Sequence, residues 1–114
     1  MTRRESRRAE RYPVARPATV VDSMTGQPIG RIGNISETGM LLIAQVELVE
    51  DALYQLQLQP SQGTAIDVGA HLLWSSPASS PGQSWAGVRF LTMSAAHREA
   101  LRQWLATLAT VDPA

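Results

Sequence analysis

The sequence predicts a mainly β fold: a small six-stranded antiparallel β-barrel with a C-terminal α-helix and a flexible arginine-rich N-terminal arm. Three observations predict it. Short apolar segments separated by turn-forming residues run from residue 18 to residue 91, apolar and polar residues alternate through 54–59, and an apolar face with helical spacing follows Ser94. A chain of 114 residues, 44% of them hydrophobic, is long enough to bury one core.

The arm, residues 1–12, is too polar to build a core, so we expect it to be flexible, and residues 13–114 form a single barrel domain. Residues 45–53 fit either a strand or one helical turn. Residues 75–84 have the serine, proline and glycine content of a loop. The strand candidates lie at 18–21, 29–35, 39–44, 54–59, 65–74 and 85–91.

The clearest strand is 54–59, in which Tyr54, Leu56 and Leu58 alternate with three glutamines. A period of two residues buries one face of a strand and leaves the other in water. Gly69 interrupts the next strand and marks a bulge or bend there. A barrel that buries these faces under a helix would also leave few unpaired strand edges.

One amphipathic helix is predicted over 95–110, with Ser94 as its N-cap and Pro113 beyond its end. The residues that share its apolar face at helical spacing are His97, Leu101, Trp104, Leu105 and Leu108. This face is expected to cover one opening of the barrel.

Composition excludes several classes of function. There is no cysteine, so there is no disulfide framework, thiolate metal site or cysteine nucleophile. The two histidines, His71 and His97, leave little for a metal cluster, and each is expected to be structural rather than catalytic. No apolar run approaches the ~20 residues that span a bilayer, and the first residues do not lead into a secretory signal. We therefore expect a cytoplasmic protein that is not an enzyme and has no metal or cofactor.

Charge is unevenly distributed along a chain that is neutral overall. All ten basic residues are arginine. Residues 1–16 carry a net charge of +4 and the remainder carries −4. A cationic arm on a mildly acidic body indicates contact with a phosphate-bearing ligand.

The arm contains Arg7, Arg8 and Arg11 in the string RRAER. Each guanidinium is a planar fork of donors that can pair with phosphate oxygens or with O6 and N7 of guanine, and its flat face can stack on a base. Taken alone, such a run is more often a solvated tail.

Two further features lie in the barrel region. Asn34 and Ser36 would point to the same face of an extended segment, and Gly39 permits a positive φ and close approach of a ligand, although a plain hairpin turn needs the same residue types. Trp74, at the end of a predicted strand, could stack on a base but, taken alone, more often lies in a core.

Together these residues form the ordered pattern Arg-x-x-x-Arg at 7 and 11, then Asn-x-Ser-x-x-Gly at 34–39. In this pattern the chain resembles the PilZ domain, the bacterial receptor module for the second messenger cyclic di-GMP. RYPVARPATV resembles the family's first strand, GRIGNISETGMLL its second and third strands, and WAGVRFLTMSAAHREALRQWL its last strand and C-terminal helix. The resemblance runs from Arg7 to Leu105 and is weakest between residues 45 and 65.

The resemblance implies a cyclic di-GMP site with the arginine motif on one side and the barrel surface on the other. The residues it places in the site are Arg7, Arg8, Arg11, Asn34, Ser36, Gly39 and Trp74. The chain departs from many members at Ser6, where they have a further arginine. Asn34 stands where the family accepts Asp or Asn; an amide has one acceptor oxygen for the two guanine donors, so we expect weaker binding than with Asp.

On this interpretation the arm orders over the ligand, and an unidentified protein partner reads the new surface. The alternative within the family is a protein–protein adaptor that does not bind the nucleotide, although such members usually lack the arginine motif. General nucleic-acid binding is disfavoured by the acidic body and by the lack of a row of exposed aromatic residues on the strands. An enzyme would need a nucleophile–base pair or paired acids, which the sequence does not show.

Overall fold

The computed structural model describes residues 9–110, which form seven β-strands and one α-helix. The strands are β1 (Tyr12–Pro13), β2 (Thr19–Asp22), β3 (Gln27–Ile35), β4 (Gly39–Ala44), β5 (Leu53–Gln59), β6 (Ile66–Pro77) and β7 (Ser84–Thr92), and the helix is α1 (Ala95–Thr110). All pairings are antiparallel. The order β3-β2-β5-β6-β7-β4 closes through β4 and β3 into a six-stranded barrel, and β1 is an outer strand against the end of β3. The predicted mainly β fold is confirmed.

The core lies inside the barrel and is built from alternate residues of its strands. In β5, Leu56 and Leu58 are buried while Gln55 and Gln59 are exposed, as the alternation predicts. Each fully buried leucine of this kind stabilises the fold by about 1.5–3 kcal/mol. β4 departs from simple alternation because five of its six residues are buried.

Two β-bulges invert this alternation in the strands β3 and β6. Ile32 pairs with Leu42 and Asn34 with Leu41, so Gly33 is the extra residue on β3. In the same way Leu73 is the extra residue on β6, between Leu72 and Trp74. After each bulge the residues that would have faced the core, Asn34 and Trp74, face outward instead. A further register shift at Gly69 confirms the irregularity predicted there.

The structure corrects the predictions for two segments and adds a strand. β6 continues to Pro77, so the loop predicted at 75–84 is wrong in its first residues, which pair with β7 despite their serine content. Residues 45–52 form neither a strand nor a helix. They are an irregular connection in which Asp51 has a φ of 65° and donates its N–H to the Leu72 carbonyl at 2.7 Å. β1 was not predicted.

Helix α1 has the predicted cap and the predicted buried face. The Ser94 hydroxyl accepts the N–H of His97 at 3.1 Å, and Leu101 and Leu105 are buried in the core. Nδ1 of His97 accepts the N–H of Asp67 at 3.0 Å, which ties the helix to β6 and is a structural role. Within residues 9–110 no helix is long and apolar enough to cross a membrane.

Candidate functional site

The turn from β3 to β4 is held together by Ser36. Its N–H donates to the Gly39 carbonyl at 2.8 Å, and its hydroxyl oxygen accepts the N–H groups of Thr38 and Gly39 at 3.2 and 3.3 Å. The side chain of Ser36 is only 1% exposed. Its hydroxyl therefore shapes the turn from beneath, and its contact with a ligand stays a prediction.

Gly39 is required at this turn for a reason that differs from the sequence-based one. Its φ is not in the left-handed region, so the turn does not use the conformational freedom of glycine. A Cβ at position 39 would instead collide with the carbonyl oxygen of Val88, because β4 runs very close to β7 there. The residue is needed for close packing of two strands directly beneath the turn.

Across the outside of the barrel, one residue from each of four neighbouring strands forms a continuous row. Trp74 on β6 pairs with Gly87 on β7, Gly87 with Leu41 on β4, and Leu41 with Asn34 on β3. We call these four residues the outer row. Since neighbouring strands lie about 4.8 Å apart, the backbones of Trp74 and Asn34 are separated by about 14 Å along the barrel surface. The structure thus places two predicted site residues on one face.

The arginine motif joins this row at Asn34. Nη1 of Arg11 donates a hydrogen bond to Oδ1 of Asn34 at 2.9 Å. Strand β1 makes the contact possible, because Tyr12 pairs with Ile35 and Pro13 with Asn34 and so brings the arm beside β3. Arg7 and Arg8 lie outside the described residues. One arginine of the first motif and the asparagine of the second are therefore in direct side-chain contact, even though 23 positions separate them in the chain.

Trp74 lies on the outer face and not in the core, which the tryptophan alone did not predict. Its side chain is 44% exposed, and its indole lies against the backbone of Gly87. A half-exposed aromatic ring fixed on a sheet is a surface on which a base can stack.

Arg89 is a cation of this face that the sequence reasoning did not select. It pairs with Gly39 on one side and with His71 on the other, and it is exposed. Among the described residues no carboxylate forms an ion pair with it, whereas Arg102 approaches Glu37 and Glu99 at 3.9 Å. The sequence feature that could have identified Arg89 is its spacing of two residues from Gly87 and four from Trp85 on the last strand, which places all three on the same side.

Tyr12 lies beside the base of the arm, among carboxylates. Its hydroxyl donates to Oε1 of Glu10 at 3.3 Å. Reduced solvation of the phenol raises the pKa of Tyr12 above its usual value, and the negative charge of Glu10 raises it further. The phenol is therefore a neutral hydrogen-bond donor at physiological pH.

Within residues 9–110 no group of three or more histidine and acidic side chains could hold a metal ion. What this face offers is guanidinium donors, an amide and an aromatic ring. Such groups suit an anionic ligand that contains planar bases.

Comparisons with known proteins show which family model and which solved folds the chain matches. The model of the PilZ domain family matches residues 3–107. The PilZ domain with c-di-GMP of YcgR from Escherichia coli superimposes with a TM-score of 0.73 at 19% identity and covers 93% of both chains. YcgR in complex with c-di-GMP from the same organism gives a TM-score of 0.74 at 20% identity, over 90% of this chain and 46% of that one.

A third similar structure is the MrkH–c-di-GMP complex of K. pneumonia, with a TM-score of 0.72 at 16% identity, over 96% of this chain and 54% of that one. The chain therefore spans about half the length of these MrkH and YcgR chains. No curated protein sequence matches the chain significantly. At these identities the superpositions establish a shared fold.

Proposed function

The chain belongs to the PilZ domain family, and from that premise we propose that it is a cyclic di-GMP receptor that binds its ligand on the outer row. The observation that carries the proposal is the Arg11–Asn34 hydrogen bond at 2.9 Å, which brings the arginine motif and the second motif together on the face that holds Trp74. Solved PilZ-domain structures of similar fold were obtained with this nucleotide, which supports the same ligand class.

The ligand has two phosphates and two guanines, and each part has a counterpart on this face. Arg11 offers a fork of donors to a phosphate or to the acceptor edge of guanine. Arg89 offers a second exposed cation close to the turn that ends at Gly39. The ring of Trp74 offers a stacking surface. Arg7 and Arg8 are proposed to add further phosphate and guanine contacts.

Asn34 has to serve the arm and the ligand together. Its carbonyl oxygen has two lone pairs, and Arg11 occupies one of them. A guanine N–H can take the other while Arg11 remains in place and turns its remaining donors toward a phosphate. Asn34 is thus proposed to be the point where nucleotide and arm share one acceptor.

We further propose that ligand binding orders the arm and creates the output surface. β1 fixes the base of the arm to β3, so the residues that precede it start next to the site. Fixing each of them costs about 1–2 kcal/mol of backbone entropy, which phosphate and guanine contacts must exceed. The combined surface of arm, nucleotide and barrel is what a partner protein would recognise.

Isothermal titration of the full chain with cyclic di-GMP tests the proposal. We expect saturable binding whose stoichiometry distinguishes one nucleotide from two, and GTP serves as the control for general phosphate affinity. No heat at millimolar cyclic di-GMP would overturn the proposal.

A protein adaptor that does not bind the nucleotide is the second candidate. Exposed leucines on three adjacent strands favour protein contact: Leu53 is 72% exposed, Leu73 44% and Leu91 48%. Proton NMR spectra with and without cyclic di-GMP separate the two candidates, because an adaptor of this kind gives identical spectra.

A further inference from the structure

Gly87 is buried in the middle of β7, where neither a turn nor an unusual φ requires glycine. A Cβ added there would collide with Cδ1, Nε1 and Cε2 of Trp74, and these three are its nearest atoms. The contrast with Gly39 is informative, because a Cβ at that position would collide with backbone. The missing side chain at 87 therefore makes room for the indole of Trp74.

We propose that Gly87 is a positioning residue, a seat that holds the indole of Trp74 flat against β7 and presents the opposite face of the ring to a guanine. This inference rests on the proposed function. The bulge at Leu73 turns Trp74 outward, but an outward tryptophan on an open surface could adopt several rotamers. Cross-strand packing of an aromatic ring over glycine restricts that freedom.

The packing of Trp74 on Gly87 also determines where the stacking surface lies. An indole that rests on Gly87 extends from β6 across β7, which brings it about one strand spacing, ~4.8 Å, closer to Asn34. A methyl group at position 87 would drive the ring back over β6 or into solvent. One ligand must reach the ring and the Arg11–Asn34 pair together, so displacing the ring weakens binding even though the tryptophan is still present.

The first test needs no ligand. Protein labelled with 5-fluorotryptophan should give three fluorine resonances, one for each tryptophan, and Trp74→Phe identifies the relevant one. Gly87→Ala is expected to shift the Trp74 resonance and leave that of Trp104, which lies in α1, in place. An unshifted Trp74 resonance would show that the indole does not rest on residue 87, and a shift of all three would show a general structural role; either result overturns the proposal.

A stability cycle keeps the proposal testable if Gly87→Ala folds poorly. The substitution is expected to lower the urea midpoint in the wild-type background but not in a Trp74→Ala background, where no ring remains to collide with. Gly39→Ala is the matched control, and its effect is expected to persist without Trp74 because it collides with backbone. Equal destabilisation by Gly87→Ala in both backgrounds would overturn the proposal.

The second test is titration with cyclic di-GMP. Gly87→Ala and Trp74→Ala are each expected to weaken binding about tenfold, and the double variant is expected to bind no worse than Trp74→Ala. Wild-type affinity in Gly87→Ala would overturn the positioning role while leaving the proposed function intact. If the wild-type protein does not bind the nucleotide, the proposed function is overturned. The fluorine and stability measurements would still test whether Gly87 positions the indole of Trp74.

Discussion

Replacing Arg11 with alanine is expected to weaken cyclic di-GMP binding by about 5- to 150-fold. A bidentate guanidinium contact with guanine contributes about 1–3 kcal/mol, which corresponds to about 5- to 150-fold in affinity. The fold should lose less, because the hydrogen bond from Arg11 to Asn34 joins an exposed charged side chain to a partly exposed one, and solvent screening limits contacts of exposed charges to about 0.2–1 kcal/mol. Loss of binding is therefore separable from loss of structure.

The assay is isothermal titration at one fixed salt concentration, accompanied by urea denaturation of each variant. Arg11→Lys keeps the charge but loses the planar fork, so it should fall between wild type and Arg11→Ala. Arg16→Ala is the matched control, because it removes an exposed arginine a few residues further on, outside the motif. Equal affinity losses in Arg11→Ala and Arg16→Ala would show that the effect comes from the net charge and not from a specific contact. Wild-type affinity in Arg11→Ala would show that Arg11 is not part of the binding site.

Four further substitutions test separate parts of the site. Asn34→Asp is expected to preserve or tighten binding, because a carboxylate accepts both guanine donors and pairs with Arg11; a large loss by titration would show that Asn34 is used differently. Ser36→Ala is expected to lower the free energy of unfolding by about 1–2 kcal/mol, because two N–H groups of the turn lose their acceptor. An unchanged urea midpoint would contradict that role. Gly39→Ala is expected to cost about 1–3 kcal/mol of stability through its collision with β7, and wild-type stability would refute it. Arg89→Ala is expected to weaken binding several-fold and to reduce its salt dependence; wild-type affinity at low and high salt would remove Arg89 from the site.

The predictions that the structure confirms rest on local patterns. Alternation in 54–59 indicated the buried face of β5, the spacing of Leu101 and Leu105 indicated the buried face of α1, and Ser94 indicated where the helix begins. Each of these follows from the geometry of one strand or one helix. The irregular connection at 45–52 was ambiguous because its backbone hydrogen bonds go to Ile29 of β3 and Leu72 of β6, which are distant in the chain.

The sequence predicted the residue types of the candidate site and their order in the chain, since phosphate and guanine recognition needs arginine forks, an amide and an aromatic ring. It did not predict how these residues are arranged in space. Alternation counted from the buried Ile32 and Leu72 would have pointed Asn34 and Trp74 into the core, and the bulges at Gly33 and Leu73 turn them outward. A bulge depends on which residues of the neighbouring strand are paired, and that register is established by the closed barrel as a whole.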